Sequence, residues 1–170
     1  LQCFDEALQR APEHAMARWN RSLSLLAMGR LEAAWPDYEL RRHLSVQGIK
    51  QWPAYPEWEG QPLDGKTIVL LHEQGLGDSL QFIRYAPLLS ERGARVLVRV
   101  PPPLVRLFSH VPGVSQALSD QEAMPAGDYF CPMLSLPLRF GTTLASIPAA
   151  LPYLAATEAD IHRWQQRLPA

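Results

Sequence analysis

The sequence predicts an α/β protein in which an open, mainly parallel sheet is preceded by an α-hairpin. Three observations carry that expectation. Short apolar runs at Thr67–Leu71, 94–100, 114–118 and 128–131 alternate with stretches of helical spacing, the order that builds a parallel sheet. The first run ends in a glycine-containing corner, His72-Glu73-Gln74-Gly75-Leu76-Gly77, after which apolar residues recur at Leu80, Ile83 and Leu88, so the stretch reads as buried strand, tight turn and helix. Ahead of it, residues 1–44 carry helix-packing residues, with Tyr38 standing 34 residues after Phe4.

Composition narrows the partners. A chain of 170 residues suits one moderate domain, or a small one with an appendage. Its 47% hydrophobic and 19% charged content and net charge of −1 give no electrostatic footprint for nucleic acid or an anionic membrane. Cys3 and Cys131 form no CxxC and indicate neither a disulfide framework nor a zinc site. No apolar run approaches the roughly 20 residues of a membrane helix, and no basic segment followed by an apolar one opens the chain. A cytoplasmic protein is expected, and the start at Leu1 within a helix-like stretch reads as a piece of a longer one.

In chain order, Phe4, Ala7, Leu8 and Pro12 resemble the end of the second helix of a tetratricopeptide repeat. Trp19, Leu23, Leu26, Gly29, Leu31 and Ala34 fall where the next repeat wants an aromatic, packing residues, a turn residue and a small residue. Ser22 and Arg41 stand where that family has small residues, which predicts looser helix packing, and Pro36 is expected in the first turns of the second helix, where a missing N–H costs least. One and a half repeats cannot bury a core alone, so these helices should lean on the domain that follows, either as a structural cap or as the end of a peptide-binding groove. Residues 45–66, with three prolines and three glycines, read as a linker whose Trp52, Tyr55 and Trp58 pin it across both parts. Residues 60–67, Gly-Gln-Pro-Leu-Asp-Gly-Lys-Thr, match the phosphate-loop pattern but open a strand instead of a helix, so ATP or GTP binding there is not expected.

Beyond the corner, the turn at Arg92-Gly93 introduces the run 94–100, and the prolines at 101–103 start a short helix through Phe108. Residues 135–140 form a short helix stopped at Gly141, residues 147–154 carry two prolines around a possible edge strand, and Thr157 with Asp160 caps a last helix through Trp164. Ligands of such a sheet bind beyond the carboxyl ends of its strands, where 72–78, 101–103 and 132–135 fall.

The corner holds the candidate site. Gly75 and Gly77 allow backbone angles closed to other residues and close approach of a ligand, with helix N–H groups aimed at the same spot. Asp78, Gln81, Arg84 and Tyr85 follow at one-turn intervals and put a carboxylate, an amide, a guanidinium and a phenol on one helix face. Asp78 reads equally well as an N-cap completed by Gln81. Leu80 and Val100-Pro101 stand where a dinucleotide fingerprint needs a glycine and an acid, no G-x-S-x-G occurs, and His72 and Glu73 lack zinc-binding spacing.

The motifs Trp58-Glu59-Gly60-Gln61-Pro62-Leu63, Glu73-Gln74-Gly75-Leu76-Gly77-Asp78, Gln81-Phe82-Ile83-Arg84-Tyr85-Ala86-Pro87, Gly93-Ala94-Arg95-Val96 and Cys131-Pro132-Met133-Leu134-Ser135-Leu136-Pro137 resemble bacterial tetratricopeptide-repeat proteins that continue into a glycosyltransferase-like domain. Through Gly77-Asp78 the chain is also similar to the ADP-heptose lipopolysaccharide heptosyltransferases, with a longer spacing to Pro87. The resemblance implies the acceptor-side half of a fold with two Rossmann-like halves. Asp78 would then be the base that deprotonates an acceptor hydroxyl, with His72 a second candidate. Gln74, Gly75, Gly77, Gln81, Arg84, Tyr85 and Ser135 would hold the acceptor, which is a glycan or a protein. No metal or cofactor is implied, the sugar nucleotide would bind a second half, and this stretch alone would be inactive. The competing expectation is a non-catalytic protein-interaction module.

Overall fold

The computed structural model describes residues 1–44, 48–49 and 51–168. Four helices come first: α1 (Gln2–Arg10), α2 (Ala15–Ala27), α3 (Leu31–Tyr38) and α4 (Arg41–Leu44). Gly29 makes the α2–α3 turn at φ +72°, a conformation glycine adopts without steric cost. Buried Asp37 ties the pair together, accepting from Arg18 Nε at 2.8 Å and Arg21 Nη2 at 2.6 Å. Pro36 lies inside α3, which stops at Tyr38, so the expected second helix is split in two.

The rest is α/β as the sequence predicts. Strands β1 (Thr67–Leu71), β2 (Arg95–Val100), β3 (Val114–Ser119) and β4 (Tyr129–Pro132) form an all-parallel sheet in the order β3-β2-β1-β4. Between β1 and β2 the chain forms α5 (Leu76–Phe82), a 3-10 turn (Ile83–Tyr85) and α6 (Ala86–Glu91). The single helix expected from Leu80, Ile83 and Leu88 is therefore broken, with Pro87 in the first turn of its last piece. Helix α7 (Pro102–Phe108) joins β2 to β3, α8 (Leu136–Arg139) follows β4, and α9 (Glu158–Gln165) is capped by Thr157 Oγ1 on the Asp160 amide.

Alternation along the strands sends Ile68, Leu70, Val96 and Val98 into the main core with Phe82, Ile83, Leu89, Leu104 and Phe108. Val69, Leu71, Leu97 and Phe130 face the other way, against Ile49, Tyr55 and Met124. Strands alternating with helices predict a parallel sheet covered by helices on both faces. Loop residues cover the second instead, because the β3–β4 connection, 120–128, contains no helix.

Of the stretch read as a linker, residues 45–47 and 50 lie outside the described residues. Trp58 is fully buried in the main core and its Nε1 donates to Gln61 O, while Glu57 forms a parallel bridge with Phe130 beside β4. Trp52 is half exposed, edge-on to Phe130. No strand forms over 147–154, where Pro148 and Pro152 lack the N–H groups a ladder needs. Lys66, in the phosphate-loop pattern, pairs with Asp128 at 3.3 Å just ahead of β1, at the sheet edge opposite the strands' carboxyl ends.

Candidate functional site

The corner after β1 is built differently from its sequence reading. The left-handed residue is Gln74, at φ 60°, while Gly75 lies at φ −91° in extended backbone. Gly75 is also the N-cap of α5, and Asp78 occupies the third helical position, where its Oδ2 accepts the Gly75 amide at 2.9 Å. Asp78 thus stabilises the helix start from inside the first turn, a position that also suits the helix dipole. A Cβ on Gly77 would meet nothing within 4 Å, whereas one on Gly75 would approach Asp78 Oδ2 to 3.2 Å.

Asp78, Gln81, Arg84 and Tyr85 line one cleft of about 300 Å³, closed on its other side by Leu26, Leu31, Trp35 and Tyr38 of the helical hairpin. Trp35 is anchored by its Nε1–H, which donates to Thr142 O at 2.7 Å, and the Tyr85 hydroxyl bonds Thr142 Oγ1 at 2.8 Å. Tyr38 stacks on Trp19 at 5.2 Å and meets Trp35 edge-on at 5.9 Å. Burial pushes the Tyr38 phenol up to about 12, with Arg41 opposing and Asp78, Glu73 and Glu39 adding to the rise. Burial likewise raises Tyr85 against the lowering effect of Thr142, so both phenols stay protonated at neutral pH. Arg84 donates to Pro148 O at 3.1 Å and lies 4.4 Å from the Tyr153 ring centre, holding the segment after Gly141 over the cleft.

His72 and Gln74 line a second cavity, of about 920 Å³, with Gln51, Arg99, Pro101, Pro102 and Asp120. The two candidate bases therefore face different cavities. His72 Nδ1 lies 2.6 Å from Ser79 Oγ. Prolines at 101–103 remove amide donors from the start of α7, so that helix presents no anion cradle there.

Ser135 lies in neither cavity. It is fully buried at the crevice between the carboxyl ends of β1 and β4, the point where the sheet's connections diverge. Arg41, 1% exposed, fills that crevice. Its Nη2 donates to Glu73 Oε1 and Ser135 Oγ, both at 2.7 Å, and its Nη1 to Glu39 Oε1 at 2.6 Å. Ser135 Oγ donates on to Glu39 Oε2 at 2.8 Å, and the Leu134 amide donates to Glu73 at 3.2 Å. Burial raises the Glu73 carboxyl above its usual range despite the pull of Arg41. Looser packing was expected at Arg41 and Ser22. Instead Arg41 is among the most enclosed side chains and Ser22 is fully buried, its hydroxyl donating to Trp19 O at 2.7 Å.

Sequence reasoning passed over Trp35, Tyr38, Arg41 and Thr142 as site residues. Arg41 did leave a signal, a charged residue where a repeat has a small one; the others looked like ordinary packing positions. Among the described residues no three His, Cys, Asp or Glu side chains converge as metal ligands would, and no helix is long and apolar enough to cross a membrane.

Over 88 residues the chain is 35% identical to Protein FlbA of Caulobacter vibrioides (strain ATCC 19089 / CIP 103742 / CB 15), a match covering 48% of this chain and 15% of that protein. The chain therefore spans about 15% of the length of the curated relative it matches. No family model matches the chain, and no solved structure matches it.

Proposed function

We propose that this chain is the acceptor-side part of a glycosyltransferase-like protein, and that the cleft beneath the hairpin holds a hydroxyl-bearing acceptor, a glycan or a protein segment. One observation carries the reading: the four polar residues singled out in the sequence and the aromatic residues Trp35 and Tyr38 line the same cleft of about 300 Å³. That volume is at the small end of ligand sites, roughly 300–1,000 Å³, and suits a single ring. Aromatic faces cover the apolar side of a sugar, while carboxylate, amide and phenol groups meet its hydroxyls.

In this reading Asp78 takes the proton from the acceptor oxygen as that oxygen attacks the anomeric carbon of the donor. Gln81 orients the acceptor, and Arg84 keeps the covering segment in place. The sugar nucleotide is held by a second half of the kind the resemblance implies. The test is glycan transfer by the longer protein carrying Asp78→Asn or Gln81→Ala, with circular dichroism as the folding control. Loss of transfer with the fold intact supports the reading.

A second reading is favoured by the Arg41 network, which fills the crevice where parallel sheets usually bind ligands. Under it the α/β part is a non-catalytic support for a protein-binding helical array. Unchanged partner binding in a protein that transfers no sugar would select it.

A further inference from the structure

The charged groups around Arg41 form a continuous chain. Glu73 pairs with Arg41 at 2.7 Å, Arg41 with Glu39 at 2.6 Å, Glu39 with Arg42 at 3.5 Å, Arg42 with Glu57 at 2.8 Å, and Glu57 with Arg139 at 2.9 Å. Three guanidinium groups alternate with three carboxylates and run from the β1 corner through α4 and the linker to α8. They carry no net charge as a set. The hairpin contributes Glu39, Arg41 and Arg42, and the remaining members belong to the linker and the α/β part, so the chain crosses the junction between them.

We infer that the crevice beyond β1 and β4 is a guanidinium-binding site, built from Glu73, Ser135 and Glu39, which the protein fills with its own Arg41 as an internal ligand. Its ligand class is an arginine side chain or an alkylguanidinium. The fork geometry favours this over an ammonium: two different nitrogens of one planar group donate to separate acceptors, Nη1 to Glu39 and Nη2 to Glu73 and Ser135. The Tyr38 ring completes the pocket, with the guanidinium carbon 4.9 Å from its centre. Arg41 follows α3 by three residues, and Trp35 and Tyr38 of α3 line the neighbouring cleft, so occupancy of the crevice and the wall of that cleft are coupled. This inference concerns docking of the hairpin and stands whether or not the cleft binds a sugar.

Methylguanidinium is the probe. Arg41→Ala vacates the site, and millimolar methylguanidinium chloride should then restore the unfolding temperature saturably towards the wild-type value, while equal sodium chloride does not. The wild-type protein should show no saturable gain. In Arg41→Ala with Glu73→Gln the restoration should be lost. Equal responses in the single and double variants, or none in a folded Arg41→Ala, overturn the inference. Should Arg41→Ala fail to fold, Glu73→Gln alone decides. Urea unfolding followed by tryptophan fluorescence should then show the hairpin releasing before the sheet unfolds, and a single transition at the wild-type midpoint contradicts the assignment.

Discussion

Two neighbouring regions differ in whether their polar groups enclose a side chain or face open volume. In the β1–β4 crevice Arg41, Glu73, Ser135 and Glu39 bond one another within 2.6–2.8 Å through both terminal nitrogens of the guanidinium, and only the buried Arg41 Nε lacks a partner among the described residues. In the neighbouring cleft Asp78 and Arg84 also have protein partners, the Gly75 amide and the Gln81 and Pro148 carbonyls, but with Gln81 they line open volume beside aromatic rings. The difference teaches that the usual ligand position of a parallel sheet serves here to attach the hairpin, and that attachment creates a new concave surface next to it.

The largest expected effect comes from emptying the filled region. Arg41→Ala leaves Glu73 buried without its partner and should cost about 3–5 kcal/mol. Denaturant unfolding measures it, and a loss under about 1 kcal/mol would mean the network is not what joins the two parts.

That residue also shows what the sequence did and did not disclose. The strands were legible because β-branched runs bounded by turn residues have few alternatives, and the Asp78–Tyr85 face was legible because helical spacing alone brings those residues together. The single helix through Leu88 failed because Pro87 restarts the chain after a 3-10 turn. The corner glycines misled because the left-handed position fell on Gln74, one residue earlier. Arg41 was misread since its partners Glu73 and Ser135 lie 32 and 94 residues away, a separation that no local pattern reports.

Next in size is the wall of the open region. Trp35→Phe keeps an aromatic ring but removes the indole N–H and part of the buried volume, so loss of the bond to the Thr142 carbonyl should cost about 1–2 kcal/mol and the cleft should loosen. Equilibrium unfolding with indole N–H exchange in the wild type checks the bond. A smaller change is expected from Asp78→Ala, which removes the acceptor for the Gly75 amide at about 1 kcal/mol, while Asp78→Asn keeps a capping oxygen and should stay within a few tenths of wild type.

Acid sharpens the contrast further. Burial pushes the Glu57 carboxyl up, but hydrogen bonds from Arg42 and Arg139 outweigh it and its pKa lies below the usual glutamate value. Its stabilising contribution is thus complete above the unfolded value of about 4.3 and fades as pH falls through the lower folded value. Glu73, raised by burial, acts oppositely: the folded state binds its proton more tightly, so stability falls as pH rises between its unfolded and folded values. Glu57→Gln should flatten the acid limb of a urea-midpoint profile below about pH 4.5, and an unchanged limb would place the acid sensitivity elsewhere. The smallest effect belongs to Lys66→Ala: its pair with Asp128 is solvent-exposed and screened, so the unfolding midpoint should stay at the wild-type value, and no nucleotide affinity should be lost.

The most direct test is glycan transfer by the two-halved protein proposed above, compared between wild type and Asp78→Asn at matched folding stability. The account predicts a fall of roughly 10²–10⁴-fold in turnover with the cleft intact. Equal turnover in the two proteins would contradict the assignment of Asp78, and with it the cleft as the place of reaction.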